Sequence, residues 1–294
     1  MKHANKYMGR NNFSMSDVHG RFNSLLRSKE YSALKSCRSL EEIVVKLNHH
    51  FSFINEDMGY EELRNKFVEN VLSELNEFNL TELDYFIEYY MIGNFFNKMD
   101  GIREHIIGQF PELKTLDLCN SFDDVQKLCI SNCFLKKYFR NISSYDRQKT
   151  MLVVMKNFMD GVYQNAGGYF REILESEGDR QILEMCLNGR NMENKGSFFP
   201  NATTMNGQQI TALQKADDLD EIARIFKIPD VEPVEYLVKK NNSMYADSFC
   251  QYDDVACIYA YFRLKEQEIE NIMWIVECML QNAPDKMDEI IVFE

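Results

Sequence analysis

The sequence has few of the residues that interrupt helices. Its 294 residues include only five prolines and thirteen glycines. Proline removes a backbone donor and glycine costs entropy inside a helix, so their scarcity favours long, continuous helices. Sixteen methionines agree with this, because the flexible methionine side chain fills the irregular gaps of helical cores.

Long apolar runs are also lacking. The densest stretch, 272–280, is interrupted by Glu277 and is much shorter than the roughly 18 apolar residues of a membrane-spanning helix. The amino terminus carries no apolar signal segment, and with eight cysteines this suggests a reducing compartment. We therefore expect a chain that does not span a bilayer.

Positive charge is scarce overall but concentrated at the amino terminus. The formal net charge of −13 argues against a nucleic-acid partner. Residues 1–38, however, contain eight Lys and Arg side chains against only Asp17 and Glu30. This basic segment is either a partly solvated arm or a segment attracted to an acidic partner or a lipid surface, and the sequence leaves both interpretations open.

Nucleotide and metal motifs are absent. The chain contains neither G-x-x-x-x-G-K-[ST] nor G-x-G-x-x-G, and His49-His50 have no carboxylate or cysteine at metal-ligand spacing. The cysteines at 119, 129 and 133 could suggest zinc. Because Cys37 and Cys119 share one position of a repeated pattern in which the third copy has Ala216, we interpret them as packing residues. We expect no metal, no cofactor and no catalytic residues.

The repeated pattern is a ten-residue template found at 34–43, 116–125 and 213–222. Apolar or small residues stand at offsets 0, 3, 6 and 9 of each copy. A Ser or Asp precedes the third of them, and an acidic residue follows three places later. The pairs are Ser39 with Glu42, Ser121 with Asp124, and Asp218 with Glu221. Each pair predicts a capping box at the start of a helix.

A polar residue inside an apolar stretch follows each template at a similar distance. Asn94, Arg180 and Asn271 lie 60, 64 and 58 residues after the first template position. These separations indicate three copies of one helical unit. We predict one all-α domain, 1–294, with repeats at about 30–110, 111–200 and 201–294 after a basic arm, 1–29. Stripes of 3.6-residue period at 60–78, 148–165 and 255–282 support the helical prediction.

Seven polar positions in the longer helices are the candidate site residues: Asn94, Glu177, Asp179, Arg180, Glu266, Glu268 and Asn271. Glu268 and Asn271 are three residues apart, so they approximately share one helix face, and such a pair could perform acid–base chemistry. No nucleophile or histidine accompanies them. We therefore favour a structural role, in which hydrogen bonds between helices fix the register of the bundle.

The carboxyl-terminal sequence resembles a known family. Segment 262–281 contains Lys265-Glu-Gln-Glu268, then Asn271-Ile-Met-Trp274, then Glu277-Cys-Met-Leu-Gln281. This order is similar to the C-terminal signature of the d subunits of V-type proton-pumping ATPases, related to the archaeal-type C subunits. Further similar blocks lie at 31–42, 90–94, 134–139, 177–180 (Glu-Gly-Asp-Arg for the family's Glu-Ala-Asp-Arg) and 287–294. The chain departs from the family pattern at Gly93, Gln181 and Glu270.

The resemblance implies a non-catalytic subunit of the membrane (Vo) sector. It implies a funnel-shaped body of three pseudo-threefold-related repeats on the cytosolic face of an acidified organelle membrane. The implied partners are the proteolipid c-ring and the central stalk subunits D and F, with only peripheral membrane contact through the ring. Without the resemblance, the triplication is equally compatible with a generic helical scaffold, and an enzyme is a third alternative.

Overall fold

A computed structural model of the chain describes residues 15–78, 84–100, 134–139, 146–189, 194–251 and 253–293, together with positions 121, 123, 124, 127, 142 and 192. Within these residues the secondary structure is helical and contains no strand, which confirms the all-α prediction. None of the described helices is long and apolar enough to cross a membrane. The chain divides into two compact units, 1–81 with 242–294, and 82–241.

The first unit is arranged around one long, buried helix. Its described helices are α1 (15–23), α2 (Ser28–Lys35), α3 (Leu40–Asn48), α4 (Tyr60–Phe78) and α11 (Asp254–Leu280), followed by a 3-10 helix, Pro284–Glu289. Helix α11 packs against α2, α3, α4 and the 3-10 helix. It is apolar on most of its circumference and buried accordingly, as expected of a helix in the centre of a core.

The predicted stripe on 60–78 is confirmed. Of the six residues in the stripe, five are buried on α4 and Leu72 is partly buried; the buried five are Leu63, Phe67, Val71, Leu75 and Phe78. The α4 side chains meet α11 through an edge-to-face contact between the rings of Phe78 and Phe262, whose centroids are 5.7 Å apart. Such contacts between large aromatic side chains dominate the energetics of a core.

The second unit contains two apolar clusters. Its described helices are α5 (Asp84–Met99), α6 (Arg147–Asn165), α7 (Gly168–Asn188), α8 (Gly207–Lys215), α9 (Leu219–Phe226) and most of α10 (Pro233–Ser248), with 3-10 helices Phe134–Lys137 and Lys195–Phe198. One cluster joins α5, α6, Tyr138, Phe139 and Ile142. The other joins the carboxyl-terminal half of α7 to α8, α9 and the start of α10.

The side-chain half of each predicted cap is confirmed. The Ser39 hydroxyl accepts a hydrogen bond from the Glu42 N–H, the Ser121 hydroxyl from Asp124, and the Asp218 carboxylate from Glu221. In a capping box the acidic side chain also accepts from the backbone N–H of the capping residue, and this second bond differs at α3. There the Glu42 carboxylate accepts from the Arg38 N–H at 2.8 Å, one residue before the cap. The capping residues therefore start α3 and α9 as predicted.

The first and third templates fold alike where they are described. In both, the template starts near the end of one helix, α2 or α8, and its capping residue starts the next, α3 or α9. The residues at offsets 0, 3 and 9 are buried in both copies, but Leu219, at offset 6 of the third copy, is 40% exposed. Most of the second copy, including Cys119, lies outside the described residues, as do Cys129 and Cys133. The division into three repeats stays a prediction.

One glycine of α7 is required by a close approach of the backbone. A Cβ atom at Gly178 would lie 1.7 Å from the carbonyl oxygen of Ala202, whereas Gly93 on α5 faces open space. Both residues are helical, so the two sites share the same backbone preference and differ in the room available. Alanine substitutions at Gly178 and at Gly93 therefore distinguish the effect of packing on stability from the effect of helix propensity.

We expect Gly178→Ala to lower the free energy of unfolding by about 3 kcal/mol, because the segment at Ala202 must move away from α7. Gly93→Ala should instead raise it by about 0.5–1 kcal/mol through the loss of chain entropy in the unfolded state. Urea titrations followed by circular dichroism measure both values. Equal stability changes in the two variants would contradict the packing at Ala202.

Candidate functional site

The structure places the seven predicted polar positions on three helices: Asn94 on α5, Glu177, Asp179 and Arg180 on α7, and Glu266, Glu268 and Asn271 on α11. Asn94, Glu177, Asp179, Glu268 and Asn271 are buried. Arg180 and Glu266 are partly exposed and form ion pairs within their own helices, with Glu184 and Arg263. The buried positions are therefore the ones that can hold other parts of the chain.

Glu268 holds the segment that connects α1 to α2. Its side chain is 0% exposed, and one carboxylate oxygen accepts a hydrogen bond of 2.7 Å from the backbone N–H of Leu26. The other oxygen lies 3.3 Å from the ammonium nitrogen of Lys265, which is itself buried. A buried carboxylate is stable only when other groups replace its lost water. Here the Leu26 N–H supplies a hydrogen bond and the Lys265 ammonium supplies an opposite charge.

Burial also sets the electrostatics around Glu268. Removal from water raises the pKa of the Glu268 carboxyl above its usual value, and the Lys265 ammonium and the Leu26 N–H oppose that shift. Burial likewise raises the pKa of Tyr31 on α2, and the charge of Glu268 adds to the effect. The ammonium of Lys265 also lies 5.0 Å from the centre of the Phe51 ring, a cation–π contact.

Asn271 holds the carboxyl-terminal segment. Its amide NH₂ donates to the Ile291 carbonyl at 2.8 Å, and its amide oxygen accepts from the Ile291 N–H at 3.3 Å. One helical turn further on, the indole N–H of Trp274 donates to the Lys286 carbonyl at 2.9 Å. The bonds to Ile291 satisfy backbone groups that lie outside any helix, and together with the bond to Lys286 they fix residues 286–291 against α11.

The two anchored segments contact each other through aromatic and cationic side chains. The guanidinium carbon of Arg27 lies 4.9 Å from the centre of the Phe22 ring and 4.3 Å from that of Phe293. Phe22 also stacks on Phe249, with ring centroids 3.9 Å apart. Both ends of the described chain are thus held at one place in the first unit.

Asp179 plays a similar role within the second unit. Its carboxylate accepts hydrogen bonds from the Thr203 hydroxyl at 2.5 Å, from the Thr204 N–H at 3.0 Å and from the Thr204 hydroxyl. Gly178, the preceding residue, gives the Ala202 carbonyl room to approach α7.

These contacts differ from the expected helix-to-helix hydrogen bonds. The bonds described for Asp179, Glu268 and Asn271 run from a helix mainly to segments without helical structure, at 203–204, 26 and 291. The register-fixing role of the polar positions stays a prediction. Sequence patterns placed Arg27 in the basic segment 1–38 and Phe293 in the family-like block 287–294, but they missed the contact between the two side chains.

The geometry favours anchoring over chemistry on a substrate. Glu268 is wholly buried, accepts a hydrogen bond from Leu26 and forms an ion pair with Lys265, so a reacting molecule has no approach to it. Among the residues that the structure describes, no group of three or more His, Cys, Asp or Glu side chains could hold a metal ion.

Comparison with known families decides the assignment. The sequence model of the family described as ATP synthase (C/AC39) subunit matches residues 15–290. The chain belongs to this family. The match includes α1 to α11, and hence Glu268, Asn271 and Asp179, and it ends at 290, one residue before Ile291.

Curated relatives of this family member agree over nearly the whole chain. V-type proton ATPase subunit d1 of Arabidopsis thaliana is 23% identical, with 94% of both chains covered. V-type proton ATPase subunit d of Saccharomyces cerevisiae is 22% identical, with 96% of both chains covered. The probable subunit d of Oryza sativa subsp. japonica is 23% identical, again with 94% covered. The resemblance to V-type ATPase d subunits that the sequence indicated is thereby confirmed.

The raised pKa of Glu268 predicts a specific pH dependence. In the unfolded chain this carboxyl loses its proton near its ordinary pKa, but in the folded chain it does so at higher pH. Its contribution to stability is therefore fully present below the ordinary pKa and is lost as the pH rises through the folded value.

Glu268→Gln removes this titration but keeps an oxygen that can accept from the Leu26 N–H. We expect the free energy of unfolding of the variant, relative to the unchanged chain, to rise as the pH increases from 4 to 7. Urea titrations at several pH values measure the difference. A difference that stays constant, or that falls with increasing pH, would show that burial does not raise the pKa of Glu268.

Proposed function

We propose that this chain is a non-catalytic subunit of the membrane sector of a V-type proton-pumping ATPase. In this role it couples rotation of the central stalk, subunits D and F, to the proteolipid c-ring, and so links ATP hydrolysis to proton transport. The observation that carries the proposal is the family match over residues 15–290, together with relatives named V-type proton ATPase subunit d that align along nearly the whole chain.

The packing within each unit supports a mechanical role. Densely packed interiors deform little, so a helical body can transmit a turning force without absorbing it. In the first unit, the 27-residue helix α11 is buried along its length and binds the segments at Leu26 and Ile291. In the second unit, Asp179 fixes the segment at 203–204 against α7. These bonds restrain segments that would otherwise yield under load.

The proposed location is the cytosolic face of an acidified organelle membrane. There the chain would contact the membrane only peripherally, through the c-ring. A permanent rotor joint must not slip, so each joint with stalk and ring should bury on the order of 2,000 Å² or more. The basic residues near the amino terminus suit an acidic or lipid-facing surface of such a joint.

Depletion of the chain from the cells that make it tests the proposal. ATP-driven acidification of isolated organelle membranes should be lost, because stalk rotation no longer reaches the ring. Re-expression of the unchanged chain should restore acidification. Re-expression of the Gly93→Ala variant, which alters an exposed position of α5, should restore it equally and serves as the matched control. Acidification is followed with a pH-sensitive dye and compared with the rate of ATP hydrolysis in the same membranes.

A tagged copy of the chain supplies the second readout. We expect it to purify together with the proteolipid ring and with subunits D and F. Acidification at the normal rate after depletion would contradict the coupling role. Purification with other proteins but without ring or stalk would instead favour a helical scaffold for different partners.

A further inference from the structure

Asparagine is followed by glycine at two places in the chain, Asn188-Gly189 and Asn206-Gly207. Such a step is chemically reactive, because glycine has no side chain that hinders its own backbone nitrogen from attacking the asparagine side chain. Both asparagines are exposed, so water reaches both of them. The two steps therefore share one reactive sequence, and the fold decides which of them reacts.

The fold restrains the first step at the end of α7. Asn188 is the last residue of that helix, and the Gly189 N–H donates to the Met185 carbonyl at 2.9 Å. Gly189 is buried, and a Cβ atom there would lie 2.7 Å from the same carbonyl oxygen. Because the nitrogen is held in this hydrogen bond, it cannot turn towards the Asn188 side chain unless the last turn of α7 opens.

The second step lies at the start of α8, where the glycine nitrogen is not held in this way. Asn206 precedes the helix with an extended backbone, at φ −79° and ψ 167°. Gly207 is the first helical residue, so its N–H has no partner within the helix, and none of the residues that the structure describes accepts a hydrogen bond from it. A Cβ atom at Gly207 would meet nothing within 4 Å, which leaves room for the backbone to rotate.

The side chain of Asn206 is held in a way that favours attack on it. Its amide oxygen accepts hydrogen bonds of 3.0 Å from the Gln208 N–H and from the Gln209 N–H. When a nucleophile adds to Cγ, negative charge develops on this oxygen, and two backbone N–H groups at the start of a helix stabilise that charge. The cap of α8 therefore also acts as a small oxyanion hole.

We propose that Asn206 is a site of spontaneous deamidation in the folded chain, and that α7 protects Asn188 from the same reaction. The Gly207 nitrogen attacks Cγ of Asn206 and closes a five-membered succinimide ring. The bond from Cγ to Nδ2 breaks, and the amide nitrogen leaves as ammonia with the proton of the Gly207 N–H. Water then opens the ring at either carbonyl, which gives aspartate or isoaspartate at position 206. The inference is independent of the proposed coupling role.

The two products differ in their effect on α8. Aspartate keeps the cap and places a negative charge at the positive end of the helix dipole. Isoaspartate adds a carbon atom to the backbone before Gly207, so it disrupts the capping box in which the Gln209 side chain accepts from the Asn206 N–H at 3.0 Å. Because Leu213 of α8 belongs to the second apolar cluster, loss of this cap weakens the packing of α8 in the second unit.

Incubation of the full, folded chain at neutral pH, followed by mass spectrometry, tests the proposal. Trypsin separates the two steps into peptides 181–190 and 196–215, and fragment spectra locate the conversion of amide to carboxyl in each. We expect Asn206 to react about tenfold or more faster than Asn188, because a helix hydrogen bond must first break at Asn188. Chains incubated in urea should lose this difference, since the helix no longer protects Asn188.

Two variants identify the reaction, and circular dichroism checks that both fold. Gly207→Ala adds a methyl group in open space and should slow the reaction at Asn206 by about fivefold or more, because the conformational freedom of glycine is lost. Asn206→Ser keeps an oxygen that can cap α8 but has no amide to lose, so position 206 should not change in mass. Similar rates at Asn206 and Asn188 in the folded chain, a faster reaction at Asn188, or a rate at Asn206 that Gly207→Ala leaves unchanged would overturn the proposal.

Discussion

A carboxylate that is removed from water must be held by donors, and the arrangement of the first unit depends on how Glu268 meets this requirement. The Leu26 N–H donates to one oxygen of the carboxylate, and the Lys265 ammonium forms an ion pair with the other. The hydrogen bond from Leu26 fixes the connection between α1 and α2. Three residues along α11, Asn271 fixes the carboxyl-terminal segment. One helix therefore positions both ends of the described chain.

Local sequence determined much of this fold. The capping residues Ser39 and Asp218 start helices as predicted, and the apolar stripe of 60–78 is buried on α4. The partners of the buried polar residues could not be predicted, because their bonds join residues far apart in sequence, 242 positions for Leu26 and Glu268. The contact of the Arg27 guanidinium with the rings of Phe22 and Phe293 likewise depends on the completed fold.

The buried polar residues suggest how the fold could support the proposed mechanical role. Hydrogen bonds from α11 and α7 secure segments that lack helical hydrogen bonds of their own, at 26, 291 and 203–204. Securing such segments restricts local opening, which otherwise starts at chain ends and loops. The family match and the relatives named V-type proton ATPase subunit d support the proposal that this rigidity is used in a rotor.

Hydrogen exchange at the Leu26 and Ile291 amides tests most directly whether α11 secures both ends. Neither amide belongs to a helix, so their protection depends on Glu268 and Asn271. We expect both to exchange about a hundredfold or more slowly than in an unfolded peptide. Glu268→Ala should accelerate exchange at Leu26. Exchange of both amides at the rate of an unfolded peptide in the unchanged chain would contradict the account.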